Sequence, residues 1–210
     1  MPRNYAVVID ARCLNGCSGH RSSSGHAAVG FADRVKTMKG HPWNRLLAWV
    51  IDWLCILVGV AVVAAIGVPL YSAGITGGLT AVAQNVLATV ILVVPMTLMQ
   101  AWFESSSREA SIGKRVRHFI VVNSRTGESV SFRRALARNT MKLAVPWTVG
   151  HAAVYSIVAA SAADSISPAI WVVTALAYIL PLVYIASLFL GSGRTPYDRI
   201  SGTTAMPSTR

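Results

Sequence analysis

The sequence predicts an all-α integral membrane protein: a four-helix transmembrane bundle with a basic cytoplasmic loop that carries a short β-hairpin and an interfacial helix. Three observations lead there. Apolar residues make up 53% of the chain and charged residues only 13%, about half the charge that a soluble domain uses to keep its surface wet. Four stretches are long and apolar enough to cross a bilayer. All 19 Lys and Arg residues lie outside those stretches and on one side of the membrane they define. The net charge of +11 and pI near 10.3 alone would suit a nucleic-acid binder. No nucleic-acid motif accompanies them, and their one-sidedness has another explanation.

Residues 1–42 are rich in Gly, Ser and Arg without sustained periodicity, and read as a disordered extension. Cys13, Cys17, His20 and His26 are residue types that bind zinc. Their spacing matches no common zinc pattern, so no metal and no other cofactor is expected. With Cys55 the cysteines number three, and no disulfide framework is apparent. Met38 offers an alternative start, in which case the preceding residues would be a mis-assigned upstream translation.

A membrane helix needs about 20 mostly apolar residues, each adding roughly 1.5 Å across a core about 30 Å thick. The candidate spans are residues 46–70, 79–103, 147–163 and 169–190. Only the first holds a charge, Asp52. Seven Lys and Arg precede or open the first span, nine lie between the second and third, and three follow the fourth. Basic segments stay in the cytoplasm during insertion, so both termini and the middle loop are placed there. Contact with anionic lipid headgroups follows from the same asymmetry.

The middle loop has its own organisation. His118 to Val122 is β-prone, Asn123, Ser124, Thr126 and Gly127 supply a turn, and Glu128 to Phe132 could return as the second strand of a hairpin. Ser131 then fits an N-cap. After it, apolar residues and the basic set Arg134, Arg138 and Lys142 recur at helical spacing on two faces, as in a helix lying in the headgroup layer. Pro146 fits the first turn of the third span.

Asp52 is the most informative residue. An acid inside a membrane helix usually faces a partner or a wet cavity. The 18 residues from Asp52 to Leu70 span roughly 27 Å, which puts Asp52 near the cytoplasmic boundary. Arg45 lies seven residues earlier, on nearly the same face. Helical side chains lean toward the N-terminus, so Arg45 points away. The better partners are Arg138, Lys142 or Arg194, from other cytoplasmic elements. Glu104, just beyond the second span, and His151, inside the third, are secondary candidates. Gln84, Asn85, Thr89, Thr97 and Gln100 punctuate the second span and suit hydrogen bonds between helices. Pro95 and Pro181 should kink their helices. No nucleophile, base and orienter sit together in sequence, so an enzyme is not expected.

Several motifs recur as a set. The first span opens Arg45-Leu-Leu-Ala-Trp-Val-Ile-Asp52; the loop holds Ser111-Ile-Gly-Lys-Arg115, then Val121 to Gly127 and Ser131 to Asn139 with Arg138; the C-terminal segment reads Arg194-Thr-Pro-Tyr-Asp198-Arg-Ile-Ser-Gly-Thr203. Over roughly residues 43–206, leaving 207–210 as a tail, this set resembles the RDD family of bacterial membrane proteins. The segment around Lys142 to His151 is similar to an actinobacterial-type branch. The resemblance implies a multi-pass plasma-membrane protein, with Asp198 as the family's second Asp. It also implies a role often suggested to be transport, some members being linked with sodium–proton exchange.

Two functional readings stand. In the first, the protein takes part in proton, cation or small-solute transport, with Asp52 at the ion and Arg45, Arg138 and Asp198 at the cytoplasmic mouth. Four helices make a thin bundle, so a pathway would call for a homo-oligomer. In the second, it is a non-transporting scaffold or assembly factor whose basic loop binds partners or anionic lipid. The orientation common to both is tested by cysteine labelling. Labels at positions 74 and 165 should react from outside the cell, and labels at 124 and 208 only after permeabilisation. An externally reactive label at 124 would overturn the four-span arrangement.

Overall fold

The structure is a computed structural model that describes residues 42–75, 78–162 and 167–208. The readings of the N-terminal extension and its Cys and His residues lie outside the described residues. Four helices are long and apolar enough to cross a membrane, and the protein is a membrane protein of the four-helix class.

Helix α1 is Pro42–Ser72. Its buried residues are Ala48, Asp52 and Ile56, a single stripe at four-residue steps. Beyond Val58 its apolar side chains are largely exposed, including Val62, Ile66 and Val68. Helix α2 covers 81–105, as Ala81–Ala88, a wider π-helical turn Thr89–Val93, and Val94–Ser105. Short α3, Ile112–Val116, leads to strand β1, Phe119–Asn123. Helix α4 covers 132–162, as Phe132–Asn139, a π-turn Thr140–Ala144, and Val145–Ala162. Helix α5 is Pro168–Phe189, short α6 is Pro196–Ile200 and strand β2 is Thr203–Pro207. Helix α4 packs along α5 and against α2, its start on the last part of α2 and its remainder on the first part, while α1 contacts chiefly α3. The start of α1, the end of α2, the start of α4 and the end of α5 share one end of the bundle. There α3, α6 and the two strands cap it.

Three expectations are corrected. The strand 119–123 does not pair into a hairpin with 128–132. It pairs antiparallel with β2, from Phe119 opposite Pro207 to Asn123 opposite Thr203. Of the hairpin only a bridge between Val122 and Ser129 remains. Local turn signals cannot reveal a partner some 80 residues away, and β2 also takes up Pro207 from the expected tail. Second, the interfacial helix and the third span are one continuous helix. Two residues of its basic face turn inward, Arg138, which is buried, and Lys142, which reaches Asp52, while Arg134 lines a surface groove. Acids on neighbouring elements compete with headgroups for these cations. Third, Gln84 and Thr89 bond to backbone carbonyls of their own neighbourhood, Leu79 and Asn85, and not across to another helix.

The prolines explain the π-turns. Pro95 and Pro146 each stand two residues after one, and a proline ring crowds the preceding turn while donating no hydrogen bond. In the second π-turn the Val145 N–H reaches back to the Thr140 carbonyl. The same step would give the Met141 carbonyl to Pro146, which has no N–H. The Tyr184 hydroxyl of α5 donates to it instead, at 2.8 Å. Pro146 is thus an interior residue of a long helix and not its first turn.

Close approach is bought by small residues. Ala101, Val121, Val130 and Ala135 form a buried cluster between α2, α4 and the strand. A side chain at Gly113 would collide with the Ala48 carbonyl of α1, so the start of α3 can lie on α1 only as glycine.

Candidate functional site

The cap end holds a buried polar network assembled from five elements. Asp52 comes from α1. Its Oδ2 accepts from the Ser111 hydroxyl at 2.7 Å and its Oδ1 from the Gly113 N–H at 2.9 Å. The close seat of Gly113 on α1 makes that backbone bond possible. The Lys142 ammonium stands 3.4 Å from Oδ2. Of the three candidate partners for Asp52, the structure selects Lys142.

Arg138 is the hub. Its Nη1 donates to both Glu104 carboxylate oxygens, at 2.7 and 2.9 Å. Its Nε and Nη2 donate to Asp198 Oδ1, at 2.9 and 2.8 Å. The guanidinium also lies over the Tyr197 ring, 5.2 Å from its centroid. Glu104 further accepts from Lys114 and from Asn139 Nδ2, the latter at 2.9 Å. Asp198 Oδ2 accepts from Arg45 Nη2 at 2.9 Å. Asp198 and Thr195 form a reciprocal capping box at the start of α6. Glu104, Arg138 and Asp198 are each no more than 1% exposed.

Three carboxylates therefore meet four cations, Arg45, Lys114, Arg138 and Lys142. Burial, with the Arg138 charge beside it, pushes the Lys114 ammonium down to about 7. Burial alone would raise the Asp198 carboxyl, but the Arg138 and Arg45 guanidiniums and the hydrogen bonds from Thr195 and Arg138 outweigh it. They hold the carboxyl below its usual range.

Sequence reasoning reached Asp52, Arg45, Arg138, Asp198, Lys142 and Glu104, and the structure joins all six. Arg45 serves Asp198 and not Asp52. Arg194 stays outside the network, donating to the Thr203 carbonyl at 3.2 Å. His151 is also remote from it. Its Nε2 accepts from the Trp147 indole at 2.7 Å, while Nδ1 is buried without a partner among the described residues. Ser111, Gly113, Lys114 and Asn139 had been given no role. Their signal was their place in the Ser111–Arg115 and Ser131–Asn139 motifs.

Two cavities adjoin Asp52. One of about 30 Å³ is lined by Arg45, Asp52, Lys114, Arg138 and Lys142, among others. The second, about 10 Å³, lies between Asp52, Gln100, Asn139 and Lys142, about the room one water needs. Gln100 Oε1 and Asn139 Oδ1 are both buried without a hydrogen-bond partner among the described residues. The Asn139 assignment is fixed by its amide nitrogen, which donates to Glu104 and to the Ala135 carbonyl. Three oxygen-bearing residues and one lysine thus line one small space.

Residues 39–202, more than half of the chain, match the sequence model of the RDD family. No curated protein and no solved structure matches.

The depressed Asp198 carboxyl sets a sign for stability. Between its folded and unfolded pKa the unfolded chain binds more protons, so stability rises with pH there. The contribution is complete above about pH 4 and is lost as pH falls further. Thermal melts of detergent-solubilised protein should show that acid loss. Asp198→Asn should cost about 3–5 kcal/mol at neutral pH, because Arg138 and Arg45 lose a buried partner, and should flatten the acid slope. An identical acid slope in the variant would contradict the assignment.

Proposed function

The chain belongs to the RDD family, and from that premise we propose that it is a plasma-membrane protein that handles protons or small cations, with Asp52 and Lys142 as the working pair. The observation that carries this reading is the cavity beside Asp52. It is lined by Gln100, Asn139 and the buried Asp52, and among the described residues Gln100 Oε1 and Asn139 Oδ1 have no hydrogen-bond partner. Such oxygens suit a hard cation or a hydronium-like donor. Lys142 is the longest of the network's ion pairs, 3.4 Å against 2.7–2.9 Å for the arginine pairs. An ammonium that withdraws would leave Asp52 able to take a cation in its place, so the two compete for one carboxylate. The remaining acids are committed to Arg138, Lys114 and Arg45 and keep the cap closed.

The proposed orientation keeps both termini and the cap in the cytoplasm, as the one-sided cations favour. The exposed outer half of α1 leaves room for a homo-oligomer. No chemistry on a bound substrate is proposed, so the protein is not read as an enzyme. The second reading, a non-transporting scaffold, is favoured by the saturation of Glu104 and Asp198. Under it Asp52 is one more clamp between α1 and α3.

Proteoliposome flux separates them. Wild-type protein should dissipate a pH or sodium gradient, tested over a panel of monovalent cations. Asp52→Asn, shown by its melting temperature and monodispersity to be folded, should lower that flux at least tenfold. Equal flux in wild type and a folded Asp52→Asn would reject the transport role of this residue.

A further inference from the structure

A separate feature at the cap end stands apart from the Asp52 cavity. A groove of about 440 Å³ opens between the turn after β1, the first two turns of α4, and the turn joining α6 to β2. Four arginines line it, Arg125, Arg133, Arg134 and Arg199, and no acid does. Among the described residues none of the four forms an ion pair, whereas Arg45 and Arg138 are both paired with carboxylates.

Arginines on independent flexible segments could spread apart in water. These are held together. The Ser124 N–H and hydroxyl both donate to the Gly202 carbonyl, each at 3.0 Å, tying the turn after β1 to the turn after α6. Helix α6 is in turn locked to α4 through Asp198 and Arg138. All three walls are therefore fixed to one another, and the fold maintains a concentration of like charge with no acid in the groove among the described residues. A preorganised cluster of this kind is suited to an anion from outside the chain. A guanidinium presents parallel N–H groups that match two oxygens of a phosphate, and four of them suit a ligand of more than one negative charge. The groove volume is that of a small-molecule site, larger than a lone ion needs.

The geometry points to the arginine groove as a binding site for a phosphate-bearing anion, either the headgroup of an anionic lipid or a soluble phosphate compound. This goes beyond the cation reading and does not rest on it, since the residues, the cavity and the sign of the ligand charge all differ.

The test uses the full chain in uncharged detergent at fixed ionic strength. It is titrated with inorganic pyrophosphate and, separately, with mixed micelles containing increasing phosphatidylglycerol in place of phosphatidylcholine. Binding is read from the rise in melting temperature. A saturable rise with pyrophosphate identifies a soluble ligand, and one with phosphatidylglycerol alone identifies a headgroup. In either case the half-saturating concentration should increase at least tenfold in Arg133→Gln/Arg134→Gln, and in Arg199→Gln, should the double variant fail to fold. Arg199→Lys, which keeps the charge but loses the planar fork, should also weaken binding. The same saturation curve in wild type and the folded variants, or no saturable response to either titrant, would overturn the proposal. Neither result depends on ion flux, so this site and the Asp52 reading fail separately.

Discussion

The arrangement of the cap depends on one side chain, Arg138. Its guanidinium faces Glu104 of α2 with one nitrogen and Asp198 of α6 with two others. The carboxylates it joins are in turn held by Lys114, Asn139 and Arg45. An arginine this deeply buried is tolerable only because every side of its fork is met; either acid alone would leave part of the charge without a partner. Small residues allow the elements of the cap to approach closely. Ala101 and Ala135 let α2 and α4 approach, and Gly113 lets α3 rest on α1.

The membrane part is organised on a different basis. Where prolines interrupt α2 and α4 the adjacent π-turns absorb the disturbance, and the Met141 carbonyl that Pro146 cannot serve is met from α5 by the Tyr184 hydroxyl, so that this carbonyl is not left to the lipid. Only one buried acid, Asp52, enters α1 beyond its first turns. The bundle is thus joined most firmly at the cap, where polar groups hold the helices. Toward the other end α1 presents apolar side chains that are largely exposed among the described residues.

Much of this was legible in the sequence. Uncharged stretches of bilayer length marked the helices, and the position of Asp52 marked the level of the network. Arg45, Arg138 and Asp198 were legible through motif resemblance. What was not legible was connectivity. The partner of β1 comes from residues 203–207, because strand pairing is set by tertiary contacts that turn residues do not report. The direction of the α4 basic face was misjudged for a related reason. Helical periodicity shows which residues share a face, but not whether that face meets headgroups or the buried carboxylates of other elements. Lys114 and Asn139 lie in the quoted motifs but are given no role by the sequence, because a polar residue outside the apolar stretches carries no signal of burial of its own.

Arg138 and Glu104 act as one buried unit joining α4 to α2, which a double-mutant cycle measures as a coupling energy. Unfolding free energies, or melting temperatures where unfolding is irreversible, would be measured for wild type, Glu104→Gln, Arg138→Gln and the double variant. Each single change should be strongly destabilising, because it strands a buried charge. The double variant should be less destabilised than the sum, by well over about 0.5 kcal/mol. Losses that add within about 0.5 kcal/mol would contradict the network as the interaction on which the cap depends.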